Sequence, residues 1–295
     1  MVKTYGELYR RVRNLLEKEE GAQAAFTARE LLSYLTGHSH AALIAMQTLL
    51  VPEETERQYM ALAQRVLDGE PLAYIIGSWD FYGLTLTVTP DVLIPRDDTM
   101  AVVDLVLEQR LPEAPRILDL CTGSGCIGLA LAKQIPQARV TLADLSQDAL
   151  KIAKKNVTDH HLSGRVTCVR ADATQPADRF LGQFDLIVSN PPYITGPDMK
   201  TLQPSVRCYE PHMALYGGED GLLFYRAICE NFDAALRPGG YLAFEFGMGQ
   251  EQDVCEILQA QNYEILQLRK DSGGIIRAVI AKKKERNHDY EEGNL

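Results

Sequence analysis

The segment "LDLCTGSGCIGLALA", residues 118–132, reads as a short apolar strand, a glycine turn and the start of a helix. Its glycines Gly123, Gly125 and Gly128 are spaced G-x-G-x-x-G, which permits a tight turn and close backbone approach to a ligand over the helix N-terminus. The spacing alone is a weak signal, because a purely structural left-handed turn reads the same way. The segment's surroundings sharpen it. "RILDLC", "ARVTLAD", "RVTCVRA", "FDLIVS" and "GYLAFEF" are short apolar strands, separated by helical stretches such as "SQDALKIAKKNVTDH" and "DGLLFYRAICENFDAAL". This alternation predicts an α/β fold with a doubly wound parallel sheet. The last two strands, "NYEILQLRK" and "IIRAVIAKK", are joined by "DSGG", too short for a crossover helix, so they are expected to be antiparallel.

Upstream the periodicity changes. Tyr5, Leu8, Val12, Leu15 and Leu16 recur at helical spacing, as do Tyr59, Leu62, Val66 and Leu67, so residues 1–75 read as a small helical domain. Pro52 suits a helix start, and the acids after it match the positive end of the helix dipole. Within 76–95, Leu84, Leu86 and Val88 alternate with threonines between glycine turns, which predicts a β-hairpin linker. The α/β domain then spans 96–284, and 285–295 reads as a frayed polar tail.

The chain has 295 residues, 46% of them apolar and 24% charged, an ordinary soluble composition. No run approaches the ~18 apolar residues of a membrane span, and the amphipathic N-terminus carries both charge signs. No membrane partner and a cytoplasmic location are expected. A formal charge of -10 argues against a protein that grips many phosphates along a duplex. The six cysteines lack C-x-x-C spacing, so reduced thiols and no metal are expected. His38, His40, His160 and His161 read as helix-end residues.

Three acids sit in register at strand ends: Asp119, four residues before Gly123, Asp144 closing "VTLAD", and Asp172 closing "VRAD". An acid at the second strand tip is placed to accept both hydroxyls of a ribose. Asp119 would repel a pyrophosphate but hold an ammonium group. S-adenosylmethionine carries that ammonium, a carboxylate suited to the helix N-terminus, a ribose and a sulfonium. The acid pattern therefore favours this cofactor, leaving S-adenosylhomocysteine as product, over a nicotinamide.

In "FDLIVSNPPYITG", residues 184–196, an apolar strand stops at Asn190, Pro191, Pro192 and Tyr193. Two prolines end regular structure and stiffen the turn they occupy. Ligands of open α/β sheets lie outside the carboxyl ends of the strands, which puts this turn beside the cofactor. The Asn190 side-chain oxygen and the Pro191 carbonyl can each accept one N–H of a planar NH2 group and stabilise charge developing on its nitrogen. Tyr193 offers an aromatic wall.

"LDLCTGSG" with "SNPPY" resembles the class I S-adenosylmethionine-dependent methyltransferases that modify amide or exocyclic nitrogens. The chain as a whole resembles the peptide chain release factor N5-glutamine methyltransferases, through "PLAYIIGSWDFYGLTLTV", "LIPRDDT", "YEPHMALYGGEDGLLFYR" and "RKDSGGIIRAVIA". The resemblance implies a Rossmann-like methyltransferase sheet behind a substrate-recognition helical domain. It assigns the cofactor to Cys121, Thr122, Gly123, Ser124, Gly125 and Asp144, with Ala173 next to the adenine; the acid pattern adds Asp119 and Asp172, and Asn190 is expected beside the cofactor. It assigns the glutamine side chain to Asn190, Pro191, Pro192 and Tyr193, and makes the partner a class 1 release factor, with no direct contact to nucleic acid. Two departures stand out: Met100 replaces the family's usual Glu, and Ala173 replaces an aromatic residue that some members carry beside the adenine.

Rival readings are a ribosomal-protein glutamine methyltransferase, an adenine-N6 DNA methyltransferase, which would need to flip a base, a nicotinamide oxidoreductase and a non-catalytic scaffold. Asp98 or Thr99 reads as a helix N-cap. Arg96 lies in the same loop, which the resemblance places near the active site, and Glu210 and Arg277 read equally as structural ion pairs or as family site positions.

Overall fold

The computed structural model describes residues 3–284; the segment read as a polar tail lies outside the described residues. Two compact units form. One holds the residues up to Ser78 together with Gln203–Tyr209, and the other runs from Trp79 to Leu202 and from Glu210 onward.

The first unit is helical: α1 (Tyr5–Glu20), α2 (Ala24–Thr36), α3 (His40–Ala45), α4 (Glu53–Leu67) and α5 (Leu72–Ile76). A capping box starts α1, with the Glu7 amide donating to Thr4 Oγ1 at 3.3 Å and the Thr4 amide donating back to Glu7 Oε2 at 2.9 Å. Its apolar stripe Leu8, Val12 and Leu16 is fully buried. The buried Tyr59 of α4 donates to the Ala28 carbonyl at 2.6 Å, tying α4 to α2. Tyr209 belongs to this unit and donates to the Asp68 carbonyl at 3.2 Å.

A hairpin of β1 (Ser78–Phe81) and β2 (Leu84–Thr87) follows, all but its first residue in the second unit. Tyr82 and Gly83 between them both have positive φ, 49° and 76°, the primed turn that suits the twist of a two-residue hairpin. Phe81, Leu84 and Leu86 are buried in this unit's core, so the hairpin is part of the larger unit.

Next come α6 (Met100–Leu107), β3 (Arg116–Leu120), α7 (Cys126–Gln134), β4 (Arg139–Asp144), α8 (Gln147–Asp159), β5 (Val166–Arg170) and β6 (Phe184–Ser189). The chain ends through α9 (Pro204–Tyr209), α10 (Leu223–Asn231), β7 (Leu236–Glu245), α11 (Glu251–Ala260), β8 (Tyr263–Lys270) and β9 (Ile276–Lys283). The seven-stranded sheet has the order β5-β4-β3-β6-β7-β9-β8. Its first five strands are parallel, and β9 pairs antiparallel with both β7 and β8. This bears out the α/β expectation and the antiparallel end.

Every residue of β6 is buried, as expected of a parallel strand covered on both faces. Each fully buried Leu or Ile there contributes roughly 1.5–3 kcal/mol. From β3 the chain winds outward through β4 and β5, then returns to β6 on the other side, so the β3/β6 boundary is the topological switch point. Among the described residues no helix is long and apolar enough to cross a membrane.

Candidate active site

The strand ends at the switch point are locked together. Leu120 of β3 stands opposite Ser189 of β6, whose hydroxyl donates to the Leu120 carbonyl at 2.7 Å. The two loops therefore leave the sheet side by side, the glycine loop from β3 and the Asn-Pro-Pro-Tyr turn from β6.

The glycine loop turns through positive φ at Cys121 (56°), Gly123 (54°) and Gly125 (86°). It is closed by the Gly125 amide donating to the Thr122 carbonyl at 2.8 Å. Gly128 answers to packing: a Cβ there would lie 2.2 Å from Leu142 Cδ2, so α7 can sit on β4 only if this position has no side chain.

Asp119 is buried under the loop. Its Oδ2 accepts from Thr122 Oγ1 at 2.6 Å and from the Gly128 amide at 2.9 Å. Oδ1 and the Ser124 hydroxyl are buried without partners. Burial pushes the Asp119 carboxyl up to about 7, against the pull of these two hydrogen bonds. Asp144 accepts from the Gly123 amide on one oxygen and the Ser146 amide on the other, both at 2.9 Å. Its carboxyl is also raised, burial outweighing the amides. Asp172 Oδ1 accepts from the Thr174 amide at 2.9 Å and hydroxyl at 2.7 Å.

A narrow cavity of about 90 Å³ brings Cys121, Gly123, Asp144, Asp172, Ala173, Asn190 and Pro192 onto one wall system. Asp119, Thr122, Ser124 and Gly125 are buried and do not line it; nor do Pro191 and Tyr193. Phe224 of α10 lines it as well, a residue that sequence reasoning misses because "GLLFYR" reads only as helix. Its ring gives the cavity an aromatic lining.

Asn190 donates from Nδ2 to Thr99 Oγ1 at 3.3 Å. Thr99, expected to cap α6, has helical φ/ψ and makes no capping bond; its hydroxyl turns to Asn190 instead. The turn itself is gripped by residues 215–217. Ile194 donates to the Leu215 carbonyl and Gly217 to the Ile194 carbonyl, both at 2.9 Å. A Cβ on Gly217 would stand 2.6 Å from Tyr193 Cα and 2.7 Å from the Pro192 carbonyl oxygen, so only glycine allows this approach. Gln250 Nε2 donates to the Tyr193 carbonyl at 3.2 Å, and burial raises the Tyr193 hydroxyl.

The remaining charged positions form ion pairs. Arg96 pairs with the buried Glu210, and Arg277 pairs with Asp98 at 3.4 Å and Asp271 at 3.1 Å. Among the described residues no group of three His, Cys, Asp or Glu is arranged to hold a metal ion.

Residues 99–205 match the Methyltransferase small domain family, and residues 7–77 match the PrmC N-terminal domain. The chain is 42% identical to the Release factor glutamine methyltransferase of Geobacter sulfurreducens, over 88% of this chain and 90% of that protein. It is 39% identical to the Fusobacterium nucleatum protein of the same name, over 84% of this chain and 70% of that one. Among solved structures, the hMettl16 catalytic domain superposes with a TM-score of 0.55 at 15% identity, covering 79% of this chain and 83% of that one. A Pyrococcus furiosus methyltransferase gives 0.51 at 20% identity, covering 78% of this chain and 100% of that one. These two likenesses bear on the fold.

Proposed function

Because the chain belongs to the release factor glutamine methyltransferases, we propose that it transfers a methyl group from S-adenosylmethionine to the side-chain amide nitrogen of the glutamine in the Gly-Gly-Gln loop of class 1 peptide chain release factors. One observation carries the reading. The glycine loop with Asp144 and the end of β6 with Asn190 line the same cavity.

The residues present fit the cofactor. Asp119 keeps a buried oxygen with no partner, and a Cβ at Gly123 would meet nothing within 4 Å, leaving the loop backbone open to close approach. We assign the ammonium group to Asp119, the loop Cys121, Thr122, Gly123, Ser124 and Gly125 to the amino-acid end, Asp144 to the ribose hydroxyls, and the Asp172–Ala173 wall with Phe224 to the adenine. The bound donor supplies an electrophilic methyl group on a sulfonium.

This chain's residues then act on the acceptor. The glutamine NH2 is a poor nucleophile because its lone pair is delocalised into the amide. Asn190 Oδ1 and the Pro191 carbonyl each accept one of its N–H bonds, orienting the nitrogen and stabilising the positive charge that grows on it as the new bond forms. The prolines hold both acceptors still. Tyr193 walls the amide plane. No charged base is required for the attack, since the proton is lost after the nitrogen has become cationic.

We assign release factor recognition to the helical unit. Its support is the PrmC N-terminal domain match and the exposed apolar side chains of Ile44, Leu49 and Leu50, which are 66%, 53% and 65% accessible.

Mass spectrometry of a release factor after incubation with the enzyme and labelled donor tests the reading. One methyl on the Gly-Gly-Gln glutamine is expected; label on DNA, on a ribosomal protein, or nowhere overturns it.

A further inference from the structure

Next to Asn190 at the end of the neighbouring strand lies an acid to which the methyl-transfer mechanism gives no role. Glu245 ends β7 between Phe244 and Phe246, 2% exposed in an otherwise apolar run. In the β6–β7 register Ser189 stands opposite Phe244, so Glu245 follows beside Asn190, and Thr99 and Asn190 both favour its ionised form. Thr99 Oγ1 accepts from Asn190 Nδ2 at 3.3 Å, which leaves the Thr99 hydroxyl proton to point toward an acceptor such as Glu245. The second carboxyl oxygen, Oε2, is buried with no partner. A buried acid with an unsatisfied oxygen is costly to the fold, and an apolar residue between two phenylalanines would pack at lower cost. Stability alone therefore does not account for Glu245.

The chemistry of the pair does. A carboxylate accepts hydrogen bonds but donates none, so an asparagine facing it must present NH2, and its oxygen must point the other way. We propose that Glu245 is a positioning residue that fixes the orientation of the Asn190 side chain, holding its NH2 inward and leaving Oδ1 for the substrate's NH2. The inference rests on the role of Asn190 in the proposed function. The other ionisable groups facing Glu245 are Asp98, Arg277, Tyr193, Tyr225 and Cys126. Burial pushes the Glu245 carboxyl up to about 7, with Thr99, Arg277 and Asn190 opposing and Asp98 adding to the rise. Burial also raises Tyr193, Tyr225 and Cys126, which takes them out of that range.

Glu245→Gln keeps size and shape but adds a donor that lets Asn190 turn its oxygen inward. We expect kcat on a release factor to fall roughly tenfold to a hundredfold, with the S-adenosylmethionine KM within about twofold of the parent. Thr99→Val and Glu245→Gln should be less than additive, because both act on one amide. A second measurement needs no turnover. The side-chain NH2 resonances of Asn190 in the free protein should shift with pH around 7, and that shift should vanish in Glu245→Gln. Unchanged kcat in Glu245→Gln, or Asn190 resonances indifferent to residue 245, overturns the positioning role. A parent enzyme that fails to methylate any release factor overturns the proposed function instead, and the resonances still decide the role of Glu245.

Discussion

An asparagine at position 190 offers the substrate an acceptor without a charge, and that choice has measurable consequences. Asn190→Ala is expected to lower kcat by about a thousandfold, comparable with losing a preorganised oxyanion-hole donor, while cofactor affinity measured by calorimetry stays within a few fold. Asp144→Ala should do the reverse, raising the S-adenosylmethionine KM at least about tenfold through the loss of two charge-assisted ribose hydrogen bonds; an unaltered KM places the ribose elsewhere. Asp119 gives a pH signature. Its carboxyl is raised to about 7, and a cationic ligand favours the ionised form, so cofactor affinity should rise as pH climbs through about 7. Asp119→Asn should abolish that slope. A slope that survives returns Asp119 to bracing the loop through Thr122 and Gly128. The sequence made Asp144 and Asn190 legible because each ends a strand at a conspicuous change from apolar to polar. Thr99 and Glu245 were not legible: a threonine before a helix looks like a cap, and a lone acid in "AFEFG" carries no periodicity to set it apart.

Elements matter here through the places where their backbones touch. The strip 215–217 holds the turn after β6, and Gly217 meets Tyr193 with no room for a methyl group. Gly217→Ala should displace the turn by several tenths of an ångström or more and cost about a hundredfold in kcat. The cofactor dissociation constant should change little, since β3, β4 and the glycine loop are untouched; a loss of cofactor affinity equal to the loss in kcat would falsify this separation. The sheet elements were readable from pattern: β6 as an unbroken apolar run, and β8 with β9 as two strands joined by too short a link to cross over. What pattern could not give was the insertion of β9 between β7 and β8, because pairing order depends on long-range register that local periodicity does not encode. Nor did the spacing of glycines say that Gly128 answers to Leu142.

At the scale of the whole molecule, two buried acids set how stability depends on pH. Asp119 and Glu245 both have carboxyls raised to about 7 by burial, from ordinary values of 3.8 and 4.5. The native state therefore holds protons that the unfolded chain has already released, and stability falls as pH rises from about 5 to about 8. A melting temperature lower by roughly 5 °C at the higher pH is expected for the free enzyme, and the double variant Asp119→Asn with Glu245→Gln should flatten the curve. The carboxyl of Asp271, held low chiefly by the Ile275 amide, acts in the opposite sense but at more acid pH. The division into units has its own effect in time. Gln203–Tyr209 belong with the helices at the start of the chain, more than a hundred residues after Ser78. During synthesis the first unit to leave the ribosome thus waits, missing a piece, until the middle of the second has emerged. A nascent chain arrested before residue 203 should be readily clipped by protease in its first helices, whereas one released past residue 209 should resist.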